Sequence, residues 1–365
     1  MRMNKPLLLL ALVVGCGDNG KTTPDASSTD QPAWTEAIPA DVPQLVNLGG
    51  PVLDHPKVQP IFFANDPLQS QIETFLGELG VNQYWGLTTA EYGVGWMSVM
   101  PSIVTHDAPP ASDDKLDAWV VAHVPHNDPQ TIYAIFLGDG VVLHGQGGDS
   151  CQAYGAFHDE ATGGIVYALI PRCNPAPNFD HAQTKLDELT LSTSHELIEA
   201  ATDPHVETTP AYGDVDDADA VMALVPGAEV GDFCEDLDSA YVRMVGDFMV
   251  QRTWSNASAK AGHDPCVPVP ASTYIAAAPV FDESVTIPSF TGTRMTEAMA
   301  LPVGASKTIE VNVFSDQPTA PFMIQADEAM FGSSPELRFA WDTQSGRNGD
   351  KLHLTITRLA MSKFP

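Results

Sequence analysis

Positive charge is what this 365-residue chain has least of: 17 Lys and Arg stand against 47 Asp and Glu, a formal net charge of −30. A surface this acidic is repelled by phosphate backbones, which excludes nucleic acid as a partner; it places no constraint on fold. Long apolar runs are also scarce. Leu7–Val14 falls well short of the ~20 residues that span a bilayer, and no other stretch comes closer, so no membrane-spanning helix is expected. Cysteine is sparse too, five in all with no Cys-x-x-Cys spacing, which argues against a four-thiolate zinc site.

What is there begins with Arg2 and Lys5 ahead of the Leu7–Val14 run, the layout of a signal-peptide core. Leu12-Val13-Val14-Gly15-Cys16 is similar to a bacterial lipobox. That likeness implies a lipoprotein signal peptide over 1–15 and a diacylglyceryl group on the Cys16 thiol. Its lipid would attach the chain to a membrane. An ordinary secretory signal with an incidental cysteine is the other reading. Gly17 rather than aspartate follows Cys16, so no inner-membrane retention signal is present, and the expected location is the cell envelope, on the outer membrane or cell surface. Residues 16–45, with the polar string Thr22–Asp30, lack hydrophobic periodicity and read as a disordered tether.

Cys151, Cys173, Cys234 and Cys266 remain, and an even number in an exported chain suggests two disulfides with three connectivities open. Pairing neighbours, Cys151 with Cys173 and Cys234 with Cys266, is the simplest choice. The length suggests two domains, taken as 46–268 and 269–365.

In the first, Val58–Ala64, Thr131–Leu137 and Gly164–Ile170 are apolar and rich in β-branched and aromatic residues, hence strands. Val94–Val104 is extended. Helical spacing of apolar residues marks Leu68–Leu79 and Asp113–Val124. A longer helix is expected from His181 to Thr202, capped by Asp180 and Gln183 and ended by Pro204. This order predicts a mixed α/β domain with one sheet. Beyond Pro268 the alternation of Ile309, Val311 and Val313, and of Leu352, Leu354 and Ile356, predicts a small all-β, immunoglobulin-like sandwich with no chemistry-bearing cluster.

His195-Glu196-Leu197-Ile198-Glu199 lies in the long helix. Residues four apart project from one face, so His195 and Glu199 can offer an imidazole and a carboxylate to one ion. Both suit zinc, although a carboxylate in place of a second histidine makes harder ions such as manganese more competitive. Glu196 stands where the His-Glu-x-x-His pattern keeps its general base. The competing reading is a solvated helix face. About thirty residues on, Glu229-Val230-Gly231-Asp232-Phe233-Cys234-Glu235 offers a third ligand, Glu229 first and Asp232 next. Asp214, Asp216, Asp217 and Asp219 form a separate acidic knot that could attract structural calcium, though an EF-hand's glycine and terminal glutamate are missing.

His195 to Pro204 (HELIEAATDP) resembles the signature of the EXORDIUM, or phosphate-induced, protein family of plant cell walls and its bacterial relatives. Glu229–Cys234 is similar to that family's downstream element, and Cys151 with His158 to an upstream one. The match covers roughly 55–268. Gly155 and Ala156 stand where plant members tend to have Cys-Gly, so one plant disulfide is expected to be absent. The resemblance implies a zincin-like fold in which His158 is either a further ligand or donor near the ion, or a structural histidine. Asp203 is expected to cap the helix exit or to orient His195 from behind.

The function these readings support is a cell-envelope, metal-dependent hydrolase of metallopeptidase type. Its substrate would be a peptide, aligned along Thr131–Leu137 as an edge strand. A non-catalytic surface-binding or adhesion lipoprotein on the same scaffold is the alternative. A carbohydrate target rests only on the cell-wall setting of the plant proteins.

Overall fold

The computed structural model describes residues 12–13, 42–125, 128–145, 148–175, 184–220, 229–235, 237–289, 292–328 and 336–360. The signal-peptide and Cys16 readings lie outside these residues, except that Leu12 and Val13 pair with Glu328 and Asp327. The tether reading, 16–45, overlaps folded chain at its end. Leu45 is buried, and the Asn256 side chain bonds both its N–H and its C=O.

One mixed sheet organises the first part of the chain. Strand β1 (Lys57–Phe63) pairs in parallel with the short β2 (Ser98–Val99) and β3 (Ile103–Thr105), and on its other side with β4 (Thr131–Phe136). β4 pairs in parallel with β6 (Ile165–Ile170), which carries β5 (Phe157–Ala161) antiparallel at the edge. Thr131–Phe136 is therefore central, not the edge strand that would align a substrate. Its six residues are all buried, because a strand paired on both sides and covered on both faces reads as a continuous apolar run. One edge belongs to β5, turned back on β6 through Gly163 and Gly164, both at positive φ, and the other to the short β2 and β3.

Strand alternation sorts two cores. Ile132, Ala134, Phe136, Ala168 and Ile170 face α1 (Gln69–Leu79), α2 (Gln83–Thr89) and α4 (Lys185–Thr202). Tyr133, Ile135, Tyr167 and Leu169 face α3 (Leu116–His123) on the opposite side. β7 (Tyr241–Val245) and β8 (Phe248–Gln251) form a hairpin, and β8 packs on the outer side of α4. Buried on both sides, α4 begins at Lys185 rather than His181. Its capping box is made by Thr184 and Asp187, and the expected Asp180 and Gln183 lie outside the described residues. The reciprocal bonds of a capping box need the two residues three apart around the first turn, a spacing Thr184 and Asp187 supply.

Both disulfides are neighbour pairs, Cys151–Cys173 and Cys234–Cys266. No helix among the described residues is long and apolar enough to cross a membrane.

Smaller antiparallel sheets follow. β9 (Ile275–Val280), β12 (Ser306–Ser315), β14 (Lys351–Arg358) and β13 (Leu337–Trp341) lie in that order, beside a hairpin of β10 (Ser284–Ser289) and β11 (Gly292–Glu297). Ile309, Val311, Leu354 and Ile356 pack one face, as their alternation requires. Arg294 of that hairpin reaches into the Asp214–Asp219 knot. Its Nη1 donates to both Asp214 oxygens at 2.6 Å and its Nε to Asp217 at 2.8 Å. A guanidinium thus occupies the place assigned to calcium, and these acids form no metal-ligand group among the described residues.

Candidate metal centre

The helix delivers His195, Glu196 and Glu199 into the interior, where they are 8%, 5% and 2% exposed. A solvated helix face is ruled out by those figures. His195 Nε2 and Glu199 Oε2 lie 3.0 Å apart, facing each other across one turn. Asp232 Oδ1 stands 3.5 Å from the same nitrogen.

His158 arrives from the edge strand. It is paired with Ala168, whose side chain is in the core under α4, and residues opposite each other across a ladder share a face. Register therefore turns His158 toward the helix. Its Nδ1 lies 3.5 Å from Glu196 Oε2 and 3.8 Å from Glu199 Oε2, and its Nε2 lies 3.3 Å from Glu229 Oε1. The two loop acids are divided between the imidazoles: Asp232, the second choice from sequence, faces His195, while Glu229 faces His158. Glu235 joins His195 and Asp232 in a third possible ligand position that the sequence did not single out.

Glu199 is held by the loop it faces. Its Oε1 accepts the backbone N–H of Gly231 at 2.9 Å and of Asp232 at 3.3 Å, leaving Oε2 turned inward. Gly231 must be glycine for this approach, since a Cβ there would come within 2.7 Å of Glu199 Oε1 and 2.8 Å of His195 Nδ1. His195 is oriented by Gln251, whose Oε1 lies 3.1 Å from Nδ1 and whose amide nitrogen donates to Gly231 O at 2.7 Å. Asp203 does not orient His195. Eight residues along a helix is ~12 Å, so it acts at the helix exit, where Oδ1 accepts from Ala211 N and its carbonyl meets His158 Nε2 at 3.2 Å. Nothing in the local sequence marks Gln251, which comes from a strand more than fifty residues away.

Burial works against charge on His158, but Glu229, Glu196 and Glu199 outweigh it and push the imidazole up to about 10. His195 is likewise raised well above its ordinary value, burial being outweighed by Glu199, Asp232 and Glu196. Burial lifts Glu229 well above the usual carboxylate range, and Asp203 in the same direction. The interior thus holds more acid than two imidazolium groups balance.

Donor type and spacing fit a divalent ion. Bonds of 2.0–2.1 Å at tetrahedral angles put neighbouring donors ~3.3 Å apart, and the imidazole–carboxylate separations here run from 3.0 to 3.8 Å. Glu229 Oε1 is buried, and it faces His158 Nε2 at 3.3 Å without a hydrogen bond of good geometry. His158, Glu199 and Glu229, and His195, Glu196 and Glu199, are each close enough to share one ion. No protein-family model, no curated protein and no solved structure matches this chain, and the centre is assigned by its own donor atoms.

Proposed function

We propose that this chain is an exported, metal-dependent hydrolase of peptidase type. The observation that carries the reading is the 3.0 Å approach of His195 Nε2 to Glu199 Oε2 inside the protein, with Asp232 3.5 Å from the same nitrogen. His195 and Glu199 would hold the ion together with an acid of the Glu229–Glu235 loop, with zinc favoured and manganese next. The chemistry a divalent ion supplies when bound is polarisation of a carbonyl and a lower pKa for water.

The protein's own groups do the rest. Glu196, beside the ligand pair, takes the proton of the attacking water and returns it to the leaving amine. The Gly231 and Asp232 N–H groups keep Glu199 in place, and Gln251 keeps Nε2 of His195 turned inward. An extended peptide would lie along β5, the strand that carries His158 and has an open edge, in place of Thr131–Leu137.

The likeness of His195–Pro204 and Glu229–Cys234 to the EXORDIUM signature supports the metal site of this reading rather than its substrate, because both stretches meet at one centre. Two disulfides fit an oxidising, extracellular compartment, and a lipid on Cys16 would hold the protein at the envelope. The C-terminal sheets, read as an immunoglobulin-like sandwich, would act as spacer or binding module.

Glu196→Gln tests the reading. It should retain the bound ion and lose turnover of a peptide library by about 10²–10⁴-fold. Wild-type turnover in that variant would remove Glu196 from the mechanism. Bound metal without turnover in the wild type would favour the adhesion reading.

A further inference from the structure

Resting on that reading of the centre, we propose that it takes two divalent ions side by side rather than one. The donors divide into two sets that share no residue: His195 with Asp232 and Glu235, and His158 with Glu199 and Glu229. Within each set, one donor atom from every residue lies within 4.8 Å of the others. Glu199 stands between the sets, its Oε2 3.0 Å from His195 Nε2 and 3.8 Å from His158 Nδ1. Glu196 also touches both, grouping with His195 and Glu199 while its Oε2 lies 3.5 Å from His158 Nδ1. Carboxylates placed between two imidazoles are the arrangement of two-ion hydrolytic sites, whose ions sit ~3.5–4 Å apart.

Charge points the same way. Glu196, Glu199, Glu229, Asp232 and Glu235 bring five carboxylates, and the ion pairs that the first four make among the described residues are with His158 and His195 alone. Imidazoles that bind metal are neutral. One dication would leave three of the five carboxylates uncompensated in a largely buried site, an expensive arrangement. Two dications would leave one. A one-ion site needs only three protein ligands and a base, which would leave His158 and Glu229 as an unexplained buried pair. Glu229 Oε1 is buried and faces His158 Nε2 at 3.3 Å without a hydrogen bond of good geometry, so an ion between the two would take the place of that contact.

The experiment is a metal titration of the full chain, stripped with chelator and reloaded with zinc, read by elemental analysis. Manganese loading followed by electron paramagnetic resonance reports whether two ions are neighbours. Two equivalents with an exchange-coupled manganese spectrum are expected. His158→Gln and, separately, Glu229→Gln should each fall to one equivalent with an uncoupled six-line spectrum, circular dichroism confirming the fold. One equivalent in the wild type overturns the second ion and leaves the proposed hydrolase standing. None overturns both. Two equivalents without coupling, or two retained in both variants, place the second ion elsewhere and overturn the shared centre.

Discussion

Gln251 Oε1 and His195 Nδ1 lie 3.1 Å apart, and through this pair the β8 strand sets the direction of a helix imidazole. With Nδ1–H donating to the amide oxygen, Nε2 is left as the lone-pair nitrogen and faces Glu199 and Asp232. Gln251 also holds the acidic loop through Gly231 O. Gln251→Ala is expected to weaken divalent-ion affinity by about 10–100-fold, measured by chelator competition. Wild-type affinity would show that packing alone orients the ring.

Gly231→Ala probes the closest approach in the centre. The new Cβ would press on Glu199 Oε1 and on the His195 ring, neither of which can retreat without losing its hydrogen bonds. Urea unfolding in chelator should show a loss of about 1–3 kcal/mol, together with failure to retain metal. A fully stable, metal-binding variant would contradict the close packing described for this loop.

Metal affinity should climb with pH. His158 and His195 are both raised in the metal-free protein, His158 to about 10, so near neutrality each carries a proton that an ion must displace. Each displaced proton makes binding up to tenfold tighter per pH unit, fading as the pH nears 10. The metal-free protein should behave oppositely. A folded pKa above the unfolded value stabilises below the unfolded pKa and loses that contribution as pH rises through the folded one. For His158 the window runs from about 6.5 to about 10, and Glu229, also raised, works in the same direction from lower pH. Thermal unfolding across that range, with and without zinc, checks both slopes; a metal-free protein that gains stability toward pH 10 would refute this electrostatic account.

The Cys234–Cys266 disulfide anchors the helical turn that carries Asp232 and Glu235. Its sulfurs are buried in the main core. Replacing both cysteines by serine should cost about 2–5 kcal/mol and loosen Asp232, lowering metal affinity. The same change at Cys151 and Cys173 should cost stability and leave affinity closer to wild type. Calorimetry with zinc separates the two effects.

How much of this was legible in sequence varies by residue. The facing of His195 and Glu199 followed from spacing alone, because an α-helix fixes which side chains share a face. The alternating C-terminal strands were equally local, whereas neighbour pairing of the cysteines was only the simplest of three connectivities; the structure contains both. The long helix was found but its start was misplaced, since both Asp180 and Thr184 can open a helix and only packing selects one. Calcium at the 214–219 knot failed because a distant arginine fills it.

Local sequence therefore marked where an ion could bind: a helix with an imidazole and a carboxylate one turn apart, and an acidic loop held by cysteine. Tertiary structure decided how they are used. Strand order made Thr131–Phe136 central and Phe157–Ala161 an edge, strand register brought His158 to the helix, and β8 supplied Gln251. Those outcomes depend on pairing between segments far apart in the chain, which periodicity within any one segment does not encode.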